Sequence, residues 1–305
     1  MPPTPQSPNL KAYLLLLFGL FAIGFSAIFV RSADAPGTIS GFYRMGIGSA
    51  VVALPFLNHI RKQGFRLSRP GVILAVLAGL FFGSDLAFWT TGITLSGAAK
   101  PTLMANTAPI WVGLGSALLF KERQNRLFWV GLIVAMVGAA LILGQDLSLA
   151  GEAGLGTFLG LLAAFFYGGY YLLTQRGRIH LDTLTFFGIS SASAAVMLFL
   201  LNVGLGRPFT GYDTPTYLNF LALGTVVQVA GWLAINYAQG YLPALIVAPT
   251  LLGQLVVTAI LAVIFLGEQF TSWHIAGAVV VLGGVYLVHW SRYSKGGRQR
   301  KSLLE

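Results

Sequence analysis

Few residues in this chain could do chemistry inside its apolar segments. Asp85 is the only acidic residue well inside one of them. A carboxylate at bilayer depth costs about 2.5–3.5 kcal/mol on insertion scales, so Asp85 should face a cavity or a partner. Arg44 lies about seven residues from the end of its own segment, and Asp85 about eight from the end of the next. At 1.5 Å per residue both sit roughly 10–12 Å below the same surface. An Arg44–Asp85 pair or shared water network is therefore expected. It would act as a structural ion pair pinning two helices, as an anchor for a substrate's ammonium or carboxylate, or as a proton site. An arginine partner works against the last role.

Amides and aromatic rings come next. Gln228, Trp232 and Asn236 recur every four residues, so they share one helix face. Trp89 follows Asp85 by one turn. Asn106 and Trp111 share a segment with Pro101 and Pro109, and Gln254 follows Pro243 and Pro249 in a looser echo. Each proline removes a backbone donor and frees a carbonyl one turn back, which makes these segments candidates for interrupted helices. Tyr170 stands with Tyr167 and Tyr171 beside two glycines. Amides offer donors and acceptors to a zwitterion, and rings can stack or hold a cation. The candidate binding set is Arg44, Asp85, Trp89, Asn106, Trp111, Tyr170, Gln228, Trp232, Asn236 and Gln254. Single aromatic rings near segment ends have a simpler reading as interfacial belts, and Lys100 one as a snorkelling side chain.

Other chemistries lack their parts. The chain has no cysteine, and its four histidines do not cluster. No HExxH, paired mid-segment aspartates or GxxxxGK[ST] occurs, so no catalytic residue, metal or other cofactor is expected. The charge rings or filter loop of a channel are not visible either.

The elements that would position these residues are membrane helices. Hydrophobic residues make up 56% of the chain and charged ones 9%, against about 25% charged in soluble domains. Ten apolar segments fall at 10–30, 37–57, 71–93, 98–120, 127–144, 154–174, 183–203, 215–237, 243–266 and 273–290. Each is long enough to span, and backbone groups in hydrocarbon must be satisfied locally, so all ten should be α-helices. The net charge of +10 sits in short loops, which argues against nucleic acid. With the N-terminus inside, 15 of the 19 Lys and Arg fall on the inner side and 2 on the outer. Both termini are then expected in the cytoplasm.

One motif occurs twice, as LLFKERQNRLFWVGLIVAMVGAALIL and VIFLGEQFTSWHIAGAVVVLGGVYLV. Glu122, Gly131 and Gly138 become Glu268, Gly277 and Gly284 at a constant offset of 146 residues. The expected organisation is a disordered tail at 1–9, five helices at 10–144, an outer linker at 145–153, five helices at 154–290 and a basic cytoplasmic tail at 291–305. An odd number of helices per copy inverts the second one in the membrane. The glutamates read as cap and loop-fixing residues, and the glycines as letting the last two helices of each half pack closely. The second half has no counterpart of Arg44; the aligned residue is about Ile189.

These features resemble the drug/metabolite transporter superfamily and its ten-helix EamA-type members. The resemblance rests on the doubled glutamate–glycine pattern, on SGAAKPTLMANTAPIW before its first copy and on Arg44. It is strongest to YddG-type exporters of aromatic amino acids. It implies a multi-pass protein of the bacterial inner membrane with a central cavity between two halves. The expected function is secondary export of amino acids and related small metabolites by alternating access. Lipophilic cations are one alternative. Anionic sugar phosphates or nucleotide sugars are another, disfavoured because only Arg44 and Lys100 could supply positive charge to a cavity.

Overall fold

The computed structural model describes residues 9–62, 67–96, 99–122, 124–143, 153–266 and 271–302. Every regular element among them is helical, and ten helices are long and apolar enough to cross a membrane. They cover Leu10–Arg31, Gly37–Lys62, Arg69–Ile93, Lys100–Leu119, Arg126–Leu143, Gly154–Gly177, Thr183–Gly204, Thr214–Gln239, Ala244–Phe265 and Ser272–Ser291. The tenth helix continues past its span to Ser302. Large apolar side chains such as Leu54, Leu118, Ile133 and Val279 project outward, as a hydrocarbon solvent requires. Of the expected tail at 1–9 all but residue 9, of the linker at 145–153 all but residue 153, and Glu268 lie outside the described residues.

Four spans are not uniform α-helices. The first bends at Phe25, between Leu10–Gly24 and Ser26–Arg31. The fourth breaks at Asn106–Thr107, between helices Ala99–Ala105 and Ala108–Leu119. The ninth tightens into a 3₁₀ turn at Leu251–Gly253, before the helix Gln254–Leu266 resumes. Ala108 and Gln254, where the helix restarts in each, differ by 146, the offset of the duplicated motif. The eighth span widens into a π-helix over Leu223–Trp232, a form concentrated at functional sites.

The motif glycines have a different partner from the one expected. They join the fifth span to the tenth, not the fourth to the fifth. A Cβ on Gly131 would meet Gly284 O at 2.9 Å and Val288 N at 2.8 Å, and one on Gly277 would meet Gly138 O at 2.8 Å. Contacts run from Gly131–Gly284 to Gly138–Gly277, so the two helices are antiparallel and touch backbone to backbone. Capping of the fifth span also departs from expectation. Asn125 Oδ1 accepts from Phe128 N at 2.9 Å, while Glu122 sits in the preceding turn with its N–H donating to Ser116 O.

Chain halves interleave around the centre. The third span packs on the sixth and seventh, and the eighth packs on the first and second. This places the third, sixth and eighth spans around the same interior, with the second span's Arg44 reaching in.

Candidate functional site

Arg44 is the central cation. Its side chain is buried, and three neighbours orient it. Nε donates to Gln228 Oε1 at 3.1 Å, Nη1 donates to Ser26 Oγ at 3.4 Å, and the guanidinium lies 5.5 Å from the Phe82 ring centroid. Gln228 is held in turn, because its Nε2 donates to Ser191 Oγ at 3.3 Å. Gly48 makes room for this arrangement: a Cβ there would lie 2.6 Å from Gln228 Cγ. Two neutral acceptors and a ring fix the planar head, and among the described residues no carboxylate compensates its charge by direct contact.

The expected direct pair with Asp85 is not formed. Among the described residues Asp85 makes no ion pair and no hydrogen bond, although it is buried and within electrostatic range of Arg44. Depth placed the two side chains at one level, but the amide of Gln228 occupies the position the carboxylate was expected to take.

An aromatic cage adjoins the cation. Phe82 stacks on Tyr170 with centroids 4.6 Å apart and lies 4.7 Å from Trp232. Tyr170 approaches Trp232 edge-on at 5.4 Å, and Tyr167 does so at 5.9 Å. Asn236 closes the cage on the far side from Arg44. Its Nδ2 donates to the Tyr170 hydroxyl at 2.8 Å and to Trp232 O at 3.0 Å. Arg44, Gln228, Trp232, Tyr170 and Asn236 thus form one continuous site, with Asp85 one turn from Phe82.

Asn106 and Gln254 meet elsewhere in the interior. They line a small cavity of about 10 Å³ with Pro109, Leu251, Tyr167 and Tyr171, room for roughly one water. The two helix interruptions of the fourth and ninth spans therefore face each other, and Tyr167 links this cavity to the cage. Two candidates fall outside. Trp89 Nε1 donates to Thr102 Oγ1 at 3.0 Å, tying the third span to the start of the fourth. Trp111 packs edge-on against Phe165 at 5.4 Å, on the exposed side of the sixth span.

Phe82, Ser26 and Ser191 were not among the candidates. The serines gave no signal, being one hydroxyl among many in apolar segments. Phe82 did give one, because it lies 146 residues before Gln228. The duplication thus brings equivalent positions of the third and eighth spans to the same guanidinium.

A fixed cation, a carboxylate without a direct partner among the described residues and a cluster of rings are the kinds of group that hold a small molecule by its charged groups and its apolar body. Comparisons with known proteins agree with a carrier. An uncharacterized transporter of Bacillus subtilis, YdfC, is 26% identical over 88% of this chain and 87% of its own. The pseudopaline exporter CntI of Pseudomonas aeruginosa is 26% identical over 93% of this chain and 96% of its own. A probable amino-acid metabolite efflux pump of Salmonella typhimurium is 28% identical over 79% and 83%. One solved crystal structure superposes on 93% of this chain and 98% of its own with a TM-score of 0.78 at 18% identity, a likeness of fold. The model of the EamA-like transporter family matches twice, at residues 10–144 and 154–290. With ten apolar helices, that double match establishes the chain as a multi-pass membrane protein belonging to the EamA-like transporter family.

Proposed function

We propose that this protein exports amino acids, aromatic and other neutral ones, and related small metabolites across the bacterial inner membrane. It does so as a secondary carrier, by alternating access to a central cavity between two inverted repeats, with both termini cytoplasmic. The observation that carries this reading is the guanidinium of Arg44, oriented by Gln228 and Ser26 at the rim of the Phe82–Tyr170–Trp232 cage. A substrate carboxylate would take the open edge of the fork. A ring or aliphatic side chain would lie among the aromatic faces, and Asp85 would receive the ammonium. The efflux pump and exporter among the relatives support export as the direction. Asp85, with no direct partner among the described residues and one turn from the Phe82–Tyr170 ring pair, favours lipophilic cations as the second reading.

The test is flux of labelled phenylalanine, tryptophan and threonine in liposomes holding the purified protein, with and without a pH gradient. Flux competed by unlabelled amino acid is the expected result. Absence of flux for all three, with transport of a lipophilic cation, would replace the first reading by the second.

A further inference from the structure

Buried polar atoms without a partner collect on one side of the cage. Trp232 Nε1, Asn236 Oδ1 and both amide atoms of Gln239 are buried and make no hydrogen bond among the described residues. Each such atom costs free energy unless some other state of the protein satisfies it. They lie along the last two turns of the eighth span, running from the cage towards the end of the bundle that carries Arg176 and Arg178. On the sixth span's side, Tyr170 bonds Asn236, Thr174 follows one turn on, and Arg178 lies in the turn just after the helix ends at Gly177. Thr174 is fully buried, and Tyr170 is bonded to Asn236. Two polar contacts, both through Asn236, therefore join these helix ends across their interface.

Arg178 shuts it. Nε donates to Asn236 O at 3.2 Å, Nη2 donates to Thr183 Oγ1 at 2.6 Å, and Nη1 donates to Leu181 O. A Cβ on Gly240 would lie 2.5 Å from Nη2, so the guanidinium is seated directly on the end of the eighth span. One residue, Asn236, thus bonds the latch through its backbone and the cage through its side chain. Gln175 adds a second tie, its Oε1 accepting from Ala244 N at the start of the ninth span at 2.7 Å.

We infer that the passage between the cage and the cytoplasm runs between the sixth and eighth spans along Thr174, Asn236 and Gln239, and that Arg178 is its gate. This rests on the carrier reading above. Opening breaks the Arg178–Asn236 bond and exposes the unpartnered amides to water or to the polar groups of the passing substrate. Loss of that bond also frees Asn236 to release Tyr170, which couples gate to cage.

The chain has no cysteine, so a single Thr174→Cys reports on the passage without further engineering. Its labelling by a membrane-impermeant thiol reagent is followed from each side, in right-side-out and inside-out vesicles. Arg178→Ala should raise the cytoplasmic-side rate roughly tenfold or more, the scale of losing charge-assisted hydrogen bonds. The rate from the outer side should not rise. Thr183→Ala, which removes one of the three bonds, should give a smaller increase and covers the case in which Arg178→Ala fails to fold. An unchanged rate in both variants, or an equal rise from both sides, overturns the gate. Labelling needs no substrate. Absence of amino-acid flux with a raised labelling rate would therefore overturn the substrate and leave the gate standing.

Discussion

At the seam between the fifth and tenth spans, both copies of the motif supply the same parts: Gly131 meets Gly284, and Gly138 meets Gly277. At the centre the same 146-residue offset sets unlike parts together. Phe82 faces Arg44 with a ring, and Gln228 faces it with an amide. The third span is α-helical where the eighth is a π-helix, and Ser190 stands 146 residues after Arg44. Close backbone packing is satisfied by one solution used twice. Recognition of an asymmetric molecule is not, so under the proposed function the positions where the copies diverge are the ones that would meet the substrate.

Changes at the seam should have the largest effect. Gly138→Leu drives a side chain into Gly277 O and the backbone beyond it, which has no room to yield. Overpacking of this kind costs about 3 kcal/mol or more. Little monodisperse protein is expected on size-exclusion chromatography, and Gly277→Leu should behave the same. A clear difference between the two would break the reciprocity.

Changes at the centre should separate the copies. Arg44→Ala is expected to lower amino-acid flux at least tenfold while the protein still folds, since hydrogen bonds to a charged group are worth about 1.5–3 kcal/mol. Arg44→Lys should recover little, because an ammonium cannot reproduce the planar fork. Ser190→Ala, 146 residues after Arg44 and next to Ile189 in the other copy, should leave flux within about twofold, since among the described residues its hydroxyl bonds just Phe187 O. Equal losses from Arg44→Ala and Ser190→Ala would remove the asymmetry. A smaller effect is expected for Phe82→Leu: apparent affinity for phenylalanine and tryptophan weakens roughly fivefold and that for threonine barely changes, as the aromatic contribution of about 0.5–1.5 kcal/mol suggests. Competition in the flux assay measures both.

The smallest effect lies outside the membrane. Asp182 caps the seventh span, accepting from Leu184 N and Thr185 N, and contacts His59 at 3.0 Å. Burial pushes its carboxyl up, but hydrogen bonds from Thr185 and His59 more than reverse this and hold it below the usual range. A depressed carboxylate contributes stability above its unfolded pKa and loses it as pH falls through the folded one. Asp182→Ala should therefore lower thermal stability by about 1 kcal/mol at neutral pH. The difference should shrink in acid, as Asp182 becomes protonated.

What could be read from the sequence divides along the same line. Ten helices were legible because hydrocarbon leaves the backbone no other option, and the fourth span's interruption because Pro109 removes a donor just beyond it. The face Gln228–Trp232–Asn236 was legible because spacing alone defines it. Position around a helix axis was not. Depth put Arg44 and Asp85 at one level, yet only packing decides which side chain turns toward which. Trp111 shows the same limit, since nothing in its neighbours tells the interior from the lipid side. Glycine spacing announced a close contact but not its partner, which lies half a chain away.

The seam has one more property. Its first glycine in one copy touches the second glycine of the other, and the reverse holds at the same time. This is the form of an isologous interface, in which a single surface is complementary to itself. A lone five-helix polypeptide would already own both sides of that contact. Two such molecules facing opposite ways in the bilayer could close on each other without any new complementary surface. Fusion into one chain then leaves the central residues free to diverge, because neither copy has to serve in both places.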